Sequence, residues 1–210
     1  MRRVVLWRHG RTAWNMANRF QGQTDVPLDD VGREQARQAA RLVAAFPPCV
    51  IVASDLLRAR ETAQPLAALT GLSVRPDPRL RELHAGSWQG RLGSEIEAVD
   101  GASYRAWRSG GDVRAGGGES RTELADRSAA ALLEHLAGVP DDGVLVAVTH
   151  GGTTRAALGR LLGLPLDQWG VLGGLANCAW SVIEEVGAGR FRLTEHNAGS
   201  LPEPVVGDDR

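Results

Sequence analysis

Three short segments place polar residues suited to anion chemistry directly after apolar runs. Arg8-His9-Gly10 follows Val4 to Trp7, Ser54-Asp55 with Arg58 follows Val50 to Ala53, and Thr149-His150-Gly151-Gly152 follows Val144 to Val148. Arginine presents several donors in a fixed fork that matches phosphate or carboxylate oxygens. A Gly-Gly step into a helix adds backbone amides at the positive end of the helix dipole. Brought together, these segments bind a small anion. The two histidines could instead be metal ligands, but Arg8 and Arg58 oppose a divalent cation and no third ligand is suitably spaced. No metal or organic cofactor is expected.

The elements that must position these residues follow from hydrophobic period. The runs at 4–7, 50–53 and 144–148 are short, continuous and rich in β-branched residues, as in strands buried on both faces of a parallel sheet. Between the first two, Asp29 can cap a helix with Val31, Ala36, Ala39, Leu42, Val43 and Phe46 inward, stopped by Pro47-Pro48. A second helix follows Ser54-Asp55 and ends near Gly71. Ser120 and Glu123 have capping-box spacing and open a third, with Leu124, Ala131, Leu132 and Leu136 inward and Gly138 just past its end. A fourth runs from about Gly152 to Leu162. Cys178 to Glu184 and Phe191 to Glu195 read as a closing pair of strands. The alternation of strand and helix periods predicts an α/β fold, a three-layer α/β/α sandwich with a mostly parallel central sheet. In such a sheet ligands bind at the carboxyl ends of strands, so the three polar segments converge on one crevice.

Composition sets the outer limits. A chain of 210 residues with 43% hydrophobic and 23% charged residues forms a core without staples. One domain over 1–196 is expected, with a polar, proline-containing tail at 197–210. The 24 basic and 25 acidic residues nearly cancel, so no global field recruits nucleic acid or an anionic membrane. All 24 basic residues are arginine, which excludes a lysine Schiff base and a lysine-bearing phosphate loop. Cys49 and Cys178 lie far apart without metal-like spacing, and the apolar run of Val4 to Trp7 is too short for a signal peptide or a membrane span. A reduced, cytoplasmic protein is the expectation.

The motif V-V-L-W-R-H-G-R-T-A-W-N at Val4 to Asn15 resembles the signature of the histidine phosphatase superfamily, also called phosphoglycerate-mutase-like. S-D-L-L-R-A-R-E-T-A at Ser54 to Ala63, L-R-E at Leu80 to Glu82, G-G-E-S at Gly117 to Ser120 and T-H-G-G at Thr149 to Gly152 follow in that family's order and span nearly the whole chain. The resemblance implies His9 as covalent nucleophile, its attacking nitrogen unprotonated, with Arg8, Arg58 and His150 around the transferring phosphoryl group and Asn15 as a neutral donor. It implies Glu82 as the acid that protonates the leaving alkoxide and then, as carboxylate, activates water. F-Q-G-Q-T-D at Phe20 to Asp25 resembles the phosphatase form, with Gln21 and Gly22 at the phosphate and Gly151 supplying an amide. His84, two positions past Glu82, lies close enough in sequence to reach substrate. His135 and His196 have no such support.

Within the family, phosphoglycerate mutases carry E-R-H-Y-G after the acid and use a lysine and paired arginines. Here the segment is Glu82-Leu83-His84-Ala85-Gly86, with alanine in place of the tyrosine and no lysine anywhere. Hydrolysis of a phosphomonoester through phosphohistidine is therefore expected in preference to isomerisation. Arg81 to Gly90 and Trp169 to Trp180 are similar to the corresponding stretches of the glucosyl-3-phosphoglycerate phosphatases of actinobacteria. That similarity implies a small phosphorylated sugar or glycerate substrate. Arg11, Arg114 and Arg121 are available for its carboxylate, and Trp14, Trp88, Trp107 and Trp169 for its sugar face. Competing readings are a broad-specificity or α-ribazole phosphatase, a mutase, and a noncatalytic phosphate-binding interaction protein, the last disfavoured by the joint presence of a nucleophile and a proton donor. The family also allows a homodimer, whose interface no segment of the sequence marks.

Overall fold

The computed structural model describes residues 1–187 and 189–199. Its strands are β1 (Arg3–Arg8), β2 (Val50–Ala53), β3 (Val74–Pro76), β4 (Val144–Thr149), β5 (Trp180–Gly187) and β6 (Arg190–Ala198), in the order β3-β2-β4-β1-β5-β6. The first four run parallel; β5 pairs antiparallel with β1, and β6 pairs antiparallel with β5 at the sheet edge. The sheet is thus mixed, with a parallel body and an antiparallel edge.

Alternation along β1 explains the two apolar layers. Val5 and Trp7 face a core that includes Ala36, Ala40, Val43, Ala63 and Leu66, while Val4 and Leu6 face Leu132, Leu136 and Leu158. The first layer belongs to helices α2 (Asp30–Val43) and α3 (Leu57–Thr70), the second to α5 (Arg121–Ala137) and α6 (Gly151–Leu161). Asp29 caps α2, its side chain accepting from the Gly32 amide, and Gly71 ends α3 in the left-handed conformation. Ser120 and Glu123 form the reciprocal capping box at the start of α5.

The inward face of α2 differs from the one expected. Gly32, Ala36, Ala39, Ala40 and Val43 are buried, whereas Val31 and Leu42 are 45% and 41% exposed. The small residues, at i, i+4, i+7, i+8 and i+11, let the helix lie close to the sheet and turn the larger Val31 and Leu42 outward. Phe46 lies beyond the helix end, partly buried against Trp180. β5 starts at Trp180 and not at Cys178, whose φ of 60° takes it out of the strand. β6 continues through Ala198, past the expected domain boundary, and residues 200–210 of the expected tail lie outside the described residues.

Among the strands and α-helices three were not foreseen: β3, a four-residue helix α1 (Ala13–Met16), and α4 (Gly93–Arg108), which is bent at Asp100. α4 contributes Ile96 and Tyr104 to a separate apolar cluster with Phe20, Trp88, Leu124 and Trp169. Within it Phe20, Trp88, Tyr104 and Trp107 meet mostly edge to face, at centroid distances of 5.3–6.4 Å. Among the described residues no helix is long and apolar enough to cross a membrane.

Candidate active site

β1, β2 and β4 are adjacent in the sheet, and their carboxyl ends deliver Arg8 and His9, Ser54, and Thr149 and His150 to one place. Arg58 enters from the first turn of α3. All of these side chains are nearly or fully buried. The His9 and His150 rings meet at 5.1 Å between centroids.

Hydrogen bonds fix both imidazoles. Nδ1 of His9 lies 2.7 Å from the Gly10 carbonyl, which can only accept, so Nδ1 carries the proton and Nε2 keeps its lone pair. Arg58 Nε donates to Nδ1 of His150 at 3.2 Å, which puts the His150 proton on Nε2, 2.9 Å from Ser54 Oγ. Burial, then the positive charges of Arg58 and Arg8, hold His9 well below its usual pKa of 6.5. Burial and Arg58 lower His150 in the same way. Both rings are neutral at pH 7.

The loop after β1 is tied to this pair. The Gly10 amide donates to Thr62 Oγ1, and Thr12 caps α1 in a reciprocal box with Asn15. Thr12 Oγ1 donates to Gln21 Oε1 at 3.1 Å. Among the described residues the buried Asn15 Nδ2 group has no hydrogen-bond partner, which suits it to donate to a substrate oxygen. Arg58 Nη1 and Nη2 donate to the Thr24 and Gly22 carbonyls and so hold the loop that carries Gln21 and Gly22.

Glu82 stands where α6 begins. Its carboxylate accepts from the amides of Gly152, Thr153 and Leu83, with the Thr153 hydroxyl also at 3.0 Å. The sequence predicts the Gly151-Gly152 amides at an external anion. Here the Gly152 amide serves the Glu82 carboxylate, because Glu82 occupies the helix N-terminus, and Gly151 is buried at the first helical position.

Beside Glu82 opens a small cavity of about 30 Å³, walled by Phe20, Leu83, Ala85, Trp107 and Trp169 and edged by Arg121 and Arg155. Of the arginines considered for a substrate carboxylate, Arg121 lines this cavity, its guanidinium 4.5 Å from the Trp107 ring centroid. Arg11 is paired with Asp29 and Arg114 with Glu123. Trp88 is fully buried in the aromatic cluster. His84 does not join the site: its side chain is exposed, its amide and carbonyl are bonded to Glu119, and it does not line the cavity. Among the described residues no three or more His, Cys, Asp or Glu side chains form a metal-binding group.

Several positioning residues escaped the sequence. Arg127 on α5 donates to the carbonyls of Arg79, Arg81 and Glu82 and is gripped by both oxygens of Glu119. Burial works to raise the Glu119 carboxyl, and the bonds from Arg127 and the His84 amide outweigh it, so Glu119 stays ionised. Asn177 Nδ2 reaches the His9 carbonyl and Asn15 Oδ1. Arg155 lies three residues past Gly152 on α6, a helical spacing from which its place on the same side could have been read.

A family model for the histidine phosphatase superfamily (branch 1) matches residues 4–199. The chain belongs to the histidine phosphatase superfamily. It is 44% identical over 186 residues to a glucosyl-3-phosphoglycerate phosphatase of Mycolicibacterium vanbaalenii, covering 86% of this chain and 83% of that one. It is 40% identical to a probable phosphoglycerate mutase of Serratia proteamaculans over 88% and 85% of the two chains. The solved structure of a mycobacterial glucosyl-3-phosphoglycerate phosphatase complexed with VO3 superposes with a TM-score of 0.90 at 42% identity, covering 95% of this chain and all of that one. As a histidine phosphatase, the protein is an enzyme that hydrolyses phosphomonoesters.

Proposed function

We propose that His9 Nε2 attacks the phosphorus of a small sugar or glycerate phosphate such as glucosyl-3-phosphoglycerate. The N–P bond forms as the bond to the ester oxygen breaks, and Glu82 in its acid form gives that oxygen its proton. The glucosylglycerate leaves. Glu82, now a carboxylate, takes a proton from water as the water oxygen attacks the phosphohistidine, releasing phosphate and restoring both residues. Arg8, Arg58, His150 and Asn15 stabilise the equatorial oxygens during both transfers, with Gln21, Gly22 and Gly151 at the rim of the phosphate site. No step calls on a metal.

The observation that carries this reading is the His9 imidazole itself. It is neutral, has Nε2 unprotonated by virtue of the Gly10 carbonyl, and is set among two buried arginines. A site that only bound phosphate would gain from a charged imidazole in its place. The substrate class is supported by the name of the 44% identical relative and by a cavity beside Glu82 that combines aromatic walls with two arginines. Ala85 lines that cavity where the mutases of the family carry tyrosine.

The test is phosphate release, in chelator-treated buffer, from glucosyl-3-phosphoglycerate beside 3-phosphoglycerate, α-ribazole phosphate and p-nitrophenyl phosphate, with an isomerisation assay on 3-phosphoglycerate. The expected result is a kcat/KM for the glucosylated substrate at least about a hundredfold above the others. Uniformly low values would refute the substrate, and efficient isomerisation would refute the hydrolase reading.

A further inference from the structure

Glycine inside a helix weakens it relative to alanine, and α6 carries Gly159 in its last turn. At that point the helix meets the indole of Trp169. A Cβ on Gly159 would lie 2.6 Å from three atoms of the ring, a distance at which the ring must move. The indole is anchored at this same Nε1 edge by the segment that follows α6. The Leu164 amide donates to the Gly159 carbonyl at 2.9 Å, and the Leu164 carbonyl accepts from Trp169 Nε1 at 3.0 Å. The ring is 4% exposed and keyed to α6 by both contacts.

Trp169 also stands between two spaces. One is the cavity that reaches Glu82. The other is an outer cleft that holds Arg108 and Asp167 and shares Arg121, Arg155 and Trp169 with the first. The inner space is walled mainly by apolar and aromatic groups, the outer by arginines and exposed glycine backbone. A leaving group seated at Glu82 and longer than the inner space meets the indole, which also borders the outer cleft with Arg108, Arg121 and Arg155.

We propose, resting on the assignment of the inner cavity to the leaving group, that Trp169 is the residue that sets which leaving groups this enzyme accepts and that Gly159 is the positioning residue that seats it. Large leaving groups bearing hydroxyls or a carboxylate pass the indole and place those groups in the outer cleft, where guanidinium donors match them. The covalent mechanism separates this role from a general structural one. The leaving group has departed before phosphohistidine is hydrolysed, so the wall acts on formation of the phosphoenzyme and not on its decay.

The experiment compares wild type, Gly159→Ala, Trp169→Ala and the double variant on glucosyl-3-phosphoglycerate and on glycerol 3-phosphate, and follows decay of isolated phosphoenzyme. Gly159→Ala is expected to lower kcat/KM for the glucosylated substrate about tenfold or more and for glycerol 3-phosphate less than about threefold, with decay unchanged. In the Trp169→Ala background the same glycine change is expected to alter the ratio less than about twofold, because no ring remains to be displaced. Equal losses on the two substrates, slowed decay, or an undiminished effect without the indole would overturn the proposal. Should Trp169→Ala not fold, Trp169→Phe replaces it: a smaller ring is expected to shift the ratio at least about threefold, and an unchanged ratio overturns the proposal. Absence of any phosphoenzyme in the wild type would instead remove the phosphatase mechanism on which the proposal stands.

Discussion

The carboxylate of Glu82 rests on the amide of Gly152, 3.0 Å away, at the N-terminus of the helix whose preceding residue is His150. In the proposed mechanism this fixes the proton donor and the phosphate site to one rigid element, and the helix dipole favours the negative charge that Glu82 would hold between the two transfers. A side chain on Gly152 would place Cβ 2.7 Å from Glu82 Oε1. Gly152→Ala is therefore expected to lower kcat/KM for alkyl phosphates by about tenfold or more. The loss should be smaller for p-nitrophenyl phosphate, whose leaving group needs little help from an acid. Equal losses on both would separate Glu82 from leaving-group protonation.

Arg127 extends the same logic one layer outward. It holds the carbonyls of Arg79, Arg81 and Glu82, and its removal leaves the half-buried Glu119 carboxylate without its guanidinium partner. Arg127→Met is expected to cost roughly 2–3 kcal/mol of folding stability and to lower kcat more than it raises KM. Urea unfolding and steady-state kinetics on the folded variant measure the two effects. A variant of unchanged kcat would show that Glu82 keeps its place without this clamp.

The two buried imidazoles tie stability to pH. In the unfolded chain each takes up a proton as pH falls through about 6.5, whereas burial and the neighbouring arginines keep the folded groups neutral well below that. The unfolded state binds more protons in this range, so their contribution is complete above about pH 6.5 and is lost on acidification, at up to about 1.4 kcal/mol per pH unit for each imidazole. His9→Asn should remove one proton from the slope of unfolding free energy against pH between 6 and 5. The acid limb of kcat/KM, where it reports His9, should lie below pH 6.5.

The strand ends were legible because each breaks an apolar run with an uncommon residue. His9 after Trp7-Arg8 and His150 after Thr149 stand where a buried parallel strand has no use for a titratable group, and Arg58 and Glu82 came into view through the motifs around them. Residues that act through backbone atoms left no such mark. Arg127 reads as one more arginine on a helix, and its role depends on three carbonyls brought to it by the fold. α4 was missed for a related reason. It buries only Ile96 and Tyr104, so its sequence lacks the continuous apolar stripe that marks a helix against a sheet. The outward turn of Val31 and Leu42 reflects alanines and a glycine chosen for close approach, which hydrophobicity alone ranks below the larger side chains.

Covalent transfer to His9 is tested directly by rapid quenching with phosphorus-labelled substrate. The wild type should yield a phosphoenzyme that is labile in acid and stable in base, with the label mapped to His9, and a folded His9→Ala variant should yield neither label nor phosphate release. Turnover retained by that variant, or a label on another residue, would contradict the mechanism.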